Sequence, residues 1–504
     1  MELFSLNQFI FPFLILIFLM SIIGYGTLIN NTIFKEQINL DLYNIIFIKG
    51  LLCVGLICIF INLFIAVSNL ISFIIIFIGI IFFFFNFVKN KSKKNKILFL
   101  TFVSLLSFFF AFYSGINDDF GYHYQTILNY KSYNLFEIEH HRMISYNSHW
   151  LFINSIFSIS FLTSTIFILS SLFYSITIYD FIKLINSSIR NKYNYLALLS
   201  FLSLVFFLGV LNKMKDFGTD VPGVIVCIYI LIIIFYYIFE TKDQITNKSF
   251  VIILLLCQFA LLIKLTNALI FLFCIPVFFK IIKHKLSFWT FVIPLLYPMP
   301  WLFQNYIISG CLIWPISMTC FSGVDAATRE IYLIESFAKG DITTNMDING
   351  FGWIKVWLTN HSTKILETYI VFFVLLLIPI IYILFITKNI RKNLRVIRDK
   401  YINFSYLMFF VIIFISNLIW FFYTPAYRFG FFYNLLFIIF IVMPFWLYML
   451  DYNYKFLLRY SKFVIIFISI YFVYENLKKI DWYIKRYDSW PPIINEKILD
   501  RKQF

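Results

Sequence analysis

Long apolar runs with almost no charge alternate with short polar connections along the chain. Three of the clearest runs are Phe9 to Ile29, Ile365 to Thr387 and Phe429 to Met449. Each is long enough to cross a hydrocarbon core of roughly 30 Å, because an α-helix rises about 1.5 Å per residue. The pattern predicts an all-α polytopic membrane protein.

The runs divide the chain into one transmembrane domain, residues 1–475, and a short polar tail, residues 476–504. The first run lacks a basic leading segment and a small-residue cleavage site, so we expect it to be a retained span rather than a signal peptide. We predict about 14 spans, with about 12 as the lower limit. They lie near 9–28, 43–66, 70–88, 97–114, 163–183, 195–212, 221–239, 249–263, 267–282, 287–306, 365–387, 403–422, 429–449 and 461–475.

Composition supports this class, and the distribution of basic residues indicates which connections lie in the cytoplasm. Hydrophobic residues make up 61% of the chain and charged residues only 13%, which no soluble domain resembles. The net charge of +16 would suit nucleic acid, but the basic residues lie in short connections between spans, the positive-inside pattern. We therefore expect no nucleic-acid partner. The clusters placed in the cytoplasm are 89–96, 280–285, 388–400 and 455–462.

With these clusters inside, the two long loops, 115–149 and 308–364, lie outside, and any active site is expected there. The abundant Phe and Tyr are better explained by A/T-rich codons than by binding platforms. Cys311 and Cys320 in the second loop form either a disulfide or two free thiols, and both alternatives stay open.

The first external loop concentrates polar chemistry. Asp118 and Asp119 are adjacent carboxylates directly after a predicted span, a costly pair unless a cation neutralises it. A solvated loop start is the plain alternative. The loop also holds four of the six histidines, and the neighbours His140 and His141 point apart, which is poor spacing for one metal ion. The predicted catalytic residues are Asp118 and Asp119, and the predicted substrate contacts in this loop are His123, His141, Arg142 and Asn147.

Three further polar groups fall at the outer membrane edge in this topology. They are Asp220 before a Val-Pro-Gly sequence, Lys264 between two apolar stretches, and Arg428 after a Thr-Pro-Ala-Tyr turn. Snorkelling to the interface is the plain alternative for each. Cations converging on a carboxylate pair would suit a lipid-linked phosphate donor, so all three are predicted substrate contacts.

Two apolar segments near the loops are expected not to span. Trp353, Val356 and Trp357 have the spacing of an amphipathic helix lying in the interface, alternatively a lid over a lipid-phosphate groove. The segment from Trp150 to about Ser160 is too short to span and is expected to lie in the interface or to re-enter the membrane.

The amino-acid sequence of these segments resembles that of a family of poorly characterised bacterial polytopic proteins. Those proteins in turn resemble the GT-C superfamily of membrane glycosyltransferases. The similarity covers most of the chain up to about residue 430, in short motifs. They are Asp118-Asp119-x-x-Tyr122-His123-x-x-x-Ile127, His141-Arg142-x-x-x-Tyr146-Asn147-Ser148-x-Trp150, Asp220-x-Pro222, Lys264-Leu265-x-Asn267, Ser309-Gly310-x-x-x-x-Pro315 and Arg428-Phe429-Gly430.

The resemblance implies a GT-C-like bundle in a bacterial inner membrane, with its active site on the periplasmic or extracellular side. The donor would be a polyprenyl-phosphate-linked sugar and the acceptor a cell-envelope glycan, lipid or protein. Asp118 or Asp119 would be the base, with Lys264 and Arg428 as phosphate ligands. No metal site and no certain cofactor are predicted, and the need for a divalent cation is left open. Ile138 and Glu139 depart from the first-loop pattern, and no large soluble C-terminal domain follows.

Two other functions compete with glycosyl transfer. A transporter or flippase of lipid-linked glycans would need a similar number of helices, but should show internal repeats and broken helices meeting near mid-membrane. An O-antigen-type polymerase or ligase would share an external site. The gathering of polar groups at one face favours the enzyme.

Overall fold

The computed structural model describes residues 6–32, 40, 42–89, 93–110, 123–138, 144–159, 168–209, 218–241, 245–282, 287–340, 350–386 and 390–452, with a few helical positions between 466 and 485. Over these ranges the regular structure is helical without a β-strand, and one isolated bridge pairs Cys311 with Cys320. The predicted all-α class is confirmed.

Eighteen α-helices follow one another in the described ranges. They are α1 Leu6–Thr32, α2 Tyr43–Asn62, α3 Asn69–Lys89, α4 Lys93–Phe110, α5 Gln125–Ser132, α6 His149–Phe157, α7 Ile168–Asn191, α8 Asn194–Gly209, α9 Asp220–Phe235, α10 Asn247–Ile263, α11 Cys274–Ile281, α12 Trp289–Leu296, α13 Met299–Ser309, α14 Val324–Lys339, α15 Trp353–Ile386, α16 Ile390–Tyr401, α17 Phe404–Tyr423 and α18 Tyr427–Tyr452. A π-helical turn, Tyr236–Glu240, extends α9, and a 3₁₀ segment, Leu265–Phe273, joins α10 to α11.

Several of these helices have the length and composition of membrane spans. The seven that qualify are Pro12–Thr32, Tyr43–Asn62, Asn69–Asn86, Ile168–Asn191, Asp220–Glu240, Phe404–Tyr423 and Tyr427–Asp451. The shorter apolar helices Asn95–Phe108, Asn194–Leu208, Asn247–Ile263 and Leu265–Ile281 also lie at predicted spans. The chain is therefore a multi-pass membrane protein. The number fourteen stays a prediction, since most of 461–475 lies outside the described residues.

Glycines let the first three helices approach closely. A Cβ on Gly50 of α2 would lie 2.0 Å from the Ile22 carbonyl oxygen of α1, and one on Gly24 of α1 would lie 1.9 Å from the Gly79 carbonyl oxygen of α3. Lipid is as apolar as a helix surface, so association in a membrane depends on such close backbone packing.

The helices α10 and α11, with the 3₁₀ segment between them, form an antiparallel hairpin. The Asn267 side chain donates to the Ala260 carbonyl at 2.9 Å, and the sulfur atoms of Cys257 and Cys274 lie 3.5 Å apart further down. Lys264 occupies the apex. The chain therefore turns back at this lysine instead of continuing through the membrane in one direction.

The bundle has two chemically different ends. At one, which we call the loop end, the Ser148 hydroxyl donates to the Ile263 carbonyl at 2.8 Å and the Tyr433 hydroxyl to the Thr266 carbonyl at 3.0 Å. At the other, the basic end, the Asn194 amide donates to Asp451 at 3.0 Å. The starts of α9 and α18 and the end of α10 meet at the loop end, while α8 starts and α16 and α18 finish at the basic end.

The structure corrects two local expectations. The predicted span 287–306 is two helices, α12 and α13, separated at Tyr297 and Pro298. Trp353 and Trp357 begin the continuous helix α15 and pack against Trp420, so they do not form a separate interfacial helix. Burial of the indole rings on a neighbouring helix replaces the lipid contact that the spacing suggested.

The helix α6, after the first loop, was expected either to lie in the interface or to re-enter the membrane, and its burial agrees with the second alternative. All nine of its residues are buried. His149 lies against Gly55 of α2, and Phe157 lies 5.2 Å from Phe18 of α1, ring centre to ring centre. This segment therefore enters the bundle without crossing it.

Candidate functional site

The predicted site residues divide into two groups. Asp118, Asp119, His141 and Arg142 lie outside the described residues, so their roles stay predictions. His123, Asn147, Asp220, Lys264 and Arg428 are described. The described group shows which parts of the chain come together at the loop end.

Lys264 is held where α10 stops. Its backbone leaves the helix with φ −159° and ψ 126°, while its N–H still donates to the Ala260 carbonyl at 3.1 Å. The side chain is only 16% exposed and its ammonium pairs with the carboxylate of Asp220, which is 36% exposed. A cation is thus fixed at a helix hairpin apex and is partly neutralised by one acid.

Phe429 brings the second predicted cation to the same place. The Lys264 ammonium lies 4.3 Å from the centre of the Phe429 ring, and the Arg428 guanidinium carbon lies 5.1 Å from it. Both distances are within the range of cation–π attraction. Three predicted contacts from distant parts of the sequence are therefore linked through Lys264, which pairs with Asp220 and shares the Phe429 ring with Arg428. We call these three residues and Phe429 the cation cluster.

The start of α9 approaches the hairpin because Gly223 has no side chain. A Cβ at this position would lie 2.3 Å from the amide nitrogen of Asn267. Asp220 is in the first turn of α9, where unpaired backbone N–H groups and the helix dipole favour negative charge. The positive end of α9 therefore faces the same point as Lys264.

Two tryptophans hold the turn that presents Arg428. The Trp357 indole donates to the Pro425 carbonyl at 2.6 Å, and the Trp420 indole donates to the Ala426 carbonyl at 3.0 Å. A Cβ on Gly430 would lie 2.1 Å from the Trp420 ring, so glycine is required for this approach. The aromatic cluster of Trp353, Trp357 and Trp420, which also contacts Phe429, supports the cations from behind.

Asn147 organises the end of the first loop. It is 1% exposed, with a positive φ of 40°. Its side chain accepts from the Tyr130 hydroxyl at 2.7 Å and donates to Asn305 at 2.8 Å, and its carbonyl accepts from the Trp301 indole at 2.8 Å. These contacts fasten the loop to α13. Its contact with substrate stays a prediction.

Two histidines of the first loop, His123 and His149, are buried. His123 opens the described part of the loop and is buried, at 9% exposure. His149, which was not selected from the sequence, is 1% exposed and lies 3.4 Å from the Tyr297 hydroxyl. Desolvation lowers the pKa of His149 to about 3, so its ring is neutral at physiological pH. A lone histidine before an apolar run gave no sign of this burial.

The second long loop is closed on itself and docked on the first. Cys311 and Cys320 form a disulfide, which selects one of the two alternatives left open by the sequence. Trp314 and Ala327 pack beside it, with Tyr146 of the first loop against them. The Tyr146 hydroxyl donates to Glu330 of α14. Tyr146 therefore joins the described parts of the two long loops.

The cation cluster has the chemistry of an anion site. It offers an ammonium, a guanidinium and a helix N-terminus, with one carboxylate among them. Phosphate oxygens accept strong hydrogen bonds from such cations. The described residues contain no group of three or more His, Cys, Asp and Glu side chains arranged to hold a metal ion.

The chain belongs to a family described as a domain of unknown function, DUF8201, whose profile matches residues 9–435. The match includes the whole cation cluster and both long loops. No curated protein and no solved structure matches the chain.

Proposed function

We propose that this member of the DUF8201 family is a membrane glycosyltransferase that moves a sugar from a polyprenyl-phosphate donor to a cell-envelope glycan, lipid or protein. The fold proposed with it is a GT-C-like bundle of about 14 spans. The observation that carries the proposal is the meeting of Lys264 and Arg428 at Phe429, directly below the first loop.

The cations would hold the donor phosphate. As the bond between the sugar and this phosphate breaks, negative charge grows on the phosphate oxygen, and Lys264 and Arg428 would stabilise that charge. Electrostatic stabilisation of a leaving group lowers the barrier only if the cations are already in place. The turn held by Trp357 and Trp420 supplies this preorganisation.

The first loop would supply the base. Asp118 or Asp119 would take the proton from an acceptor hydroxyl while that oxygen attacks the anomeric carbon, and the lipid phosphate would leave from the opposite face with inversion. This assignment comes from the resemblance of the loop motif. Ser148 supports it, because its bond to the Ile263 carbonyl ties the end of that loop beside Lys264.

Two features support an external location for the loop end, on the outer side of a bacterial inner membrane. The Cys311–Cys320 disulfide suits an oxidising compartment. The helix α16, which lies at the opposite end, is rich in Arg and Lys, and such connections favour the cytoplasmic side. The disulfide and the basic helix α16 therefore support the same orientation, with the loop end outside and the basic end in the cytoplasm.

The central test is transfer by the purified protein in lipid nanodiscs. Labelled polyprenyl-phosphate hexoses and pentoses are supplied with envelope acceptors, and release of the lipid phosphate is measured. Lys264→Met is expected to lower turnover about 100-fold, the typical loss when one preorganised electrostatic contact is removed. Lys248→Met is the matched control, because Lys248 is an exposed residue of the same helix α10 at its other end.

Activity that is unchanged in Lys264→Met would overturn the phosphate assignment. Full activity in both Asp118→Asn and Asp119→Asn would overturn the assignment of the base. The side of the membrane is tested in a thiol-free background with Glu137→Cys at the loop end and Arg395→Cys at the basic end, both exposed positions. An impermeant reagent should label only the first in intact cells, and the reverse pattern would overturn the topology.

A transporter or flippase of lipid-linked glycans is the second candidate, and α6 is the observation that favours it. This short helix is buried on every side within the bundle, and short buried helices line substrate paths in many transporters. The nanodisc assay separates the two. Movement of the lipid-linked sugar across the bilayer without release of lipid phosphate would replace the transferase by the transporter.

A further inference from the structure

Asp220 has a position that its selection as a substrate contact does not explain. It is an acid placed directly on the cation that is proposed to hold a phosphate. A carboxylate on the donor side of the site would repel a phosphate, because both are anions. Its role must therefore differ from that of Lys264 and Arg428.

The two partners of the ion pair differ in their access to water, as replacement of Asp220 by another anion would require. The Asp220 side chain is 36% exposed, whereas the Lys264 side chain is 16% exposed. The acid can thus move into water at little desolvation cost, while the lysine is fixed by the hairpin and by the Phe429 ring at 4.3 Å. Ion pairs with this much exposure contribute only about 1 kcal/mol or less.

A phosphate would be a stronger partner for the same cations than the carboxylate. A polyprenyl phosphate monoester carries up to two negative charges and offers three acceptor oxygens, and the phosphodiester of the sugar donor carries one charge on two such oxygens. The Arg428 guanidinium is close enough to the same ring to share it, and the first turn of α9 directs its positive end there. One carboxylate oxygen pair cannot satisfy all of these donors.

We propose that Asp220 is an internal counter-anion of Lys264 that a phosphate group displaces when it binds at the cation cluster. In the unbound protein the acid neutralises the lysine and keeps the site closed to other anions. On binding, the phosphate takes the place of the carboxylate on Lys264, and Asp220 turns to solvent. This inference rests on the proposed function for the phosphate site, and adds to it the way in which the site is regulated.

The phosphate chemistry has two sources, a lipid phosphate and a free phosphate. Exposed aromatic residues beside the cluster favour the lipid. Phe351, Phe422 and Tyr423 are 73%, 44% and 68% exposed, and the rings of Phe351 and Phe422 are 6.4 Å apart, centre to centre. Such a surface suits a hydrocarbon chain entering from the bilayer, which inorganic phosphate lacks.

The test measures binding rather than transfer. Purified protein is titrated with a short polyprenyl phosphate in detergent and, separately, with inorganic phosphate. Quenching of tryptophan fluorescence is the signal, since the cluster of Trp353, Trp357 and Trp420 packs against Phe429. Asp220→Asn should tighten binding of the lipid phosphate by about fivefold, because the competing charge is gone while the amide keeps the shape. Lys264→Met should weaken it by at least about tenfold.

Two controls make the result specific. Asp325→Asn removes another acid from the first turn of a helix at the loop end, Val324–Lys339, where it is exposed, and should leave binding unchanged. In the double variant Asp220→Asn, Lys264→Met, the gain from the first change should disappear, since exchange requires the lysine.

Weaker binding in Asp220→Asn would overturn the inference, because it would make Asp220 a support of the site. Equal tightening in Asp325→Asn would also overturn it, because only general charge would then be involved. Tighter binding of lipid phosphate without any sugar transfer would keep this inference and remove the transferase. Sugar transfer by the protein, with no tighter binding of lipid phosphate in Asp220→Asn, would keep the transferase and overturn this inference.

Discussion

The two ends of the bundle use partly exposed acids, Asp451 and Asp220, in opposite ways. At the basic end, Asp451 accepts from Lys400 and Tyr401 of α16 and from Asn194 of α8. At the loop end, Asp220 pairs with Lys264 and its side chain is 36% exposed. The first arrangement fastens helices together, whereas the second is the ion pair in which we propose that a phosphate replaces the acid.

Asp180 shows the fastening use most clearly. It is fully buried in α7 and accepts from the backbone N–H groups of Tyr43 and Asn44 at 3.1 and 2.7 Å, and from the Tyr229 hydroxyl at 3.4 Å. A carboxylate at the first turn of α2 satisfies N–H groups that have no partner in their own helix. The comparison teaches that an acid with several donors fastens helices here, whereas the proposed exchange needs an acid with one cation partner and access to water.

The largest expected effect is on stability at Asp180. Asp180→Ala leaves two buried N–H groups and a buried hydroxyl without this acceptor, and should lower the free energy of unfolding in mild detergent by about 3 kcal/mol or more. Asp220→Asn should lower it by less than about 1 kcal/mol. Equal losses in the two variants would break the distinction between the two ends.

A smaller effect is expected at Gly223, where α9 meets the hairpin. Gly223→Val places a side chain 2.3 Å from the Asn267 amide, so α9 must move and separate Asp220 from Lys264. We expect a loss of about 2 kcal/mol in the free energy of unfolding and weaker lipid-phosphate binding. Gly352→Val is the control, since no atom lies within 4 Å of a Cβ there. Retention of both stability and binding in Gly223→Val would show that the close approach is unnecessary.

The smallest effect is expected at Trp420, which holds the turn before Arg428. Trp420→Phe keeps an aromatic ring but removes the donor to the Ala426 carbonyl, at a cost of about 1 kcal/mol. Binding of lipid phosphate should weaken more than stability suggests, because Arg428 loses its fixed position. Trp289→Phe, at an indole that is 62% exposed, should change neither measurement. Stability loss with unchanged binding would remove Trp420 from the support of the site.

The sequence was a good guide to the charged members of the cation cluster and a poor one to the rest. Lys264 and Arg428 were found because a cation between apolar runs needs an explanation. Phe429 stood in the motif Arg428-Phe429-Gly430, but nothing distinguished it among 68 phenylalanines as the ring that both cations contact. The role of Gly223 depends on Asn267, which lies far along the chain, and no local pattern carries that information.

Local spacing also failed where a neighbouring helix decided the environment. The spacing of Trp353 and Trp357 correctly predicted a helix, but their burial on Trp420 depends on α17. The antiparallel turn at Lys264 was expected from the alternation of spans, and the hairpin contacts agree with it. The difference is that alternation is a property of the whole chain, whereas burial of one ring is a property of its neighbours.

By itself, the sequence determined that this protein is embedded in a membrane, since apolar helices long enough to span a bilayer are stable in its hydrocarbon core. It also separated basic connections from long polar loops. Only the tertiary structure decided that Lys264 pairs with Asp220 and meets Arg428 at Phe429, and that Cys311 pairs with Cys320. The physical reason is that hydrophobic length is encoded locally, whereas ion pairs and cation–π contacts need side chains from separate helices to come within a few ångströms.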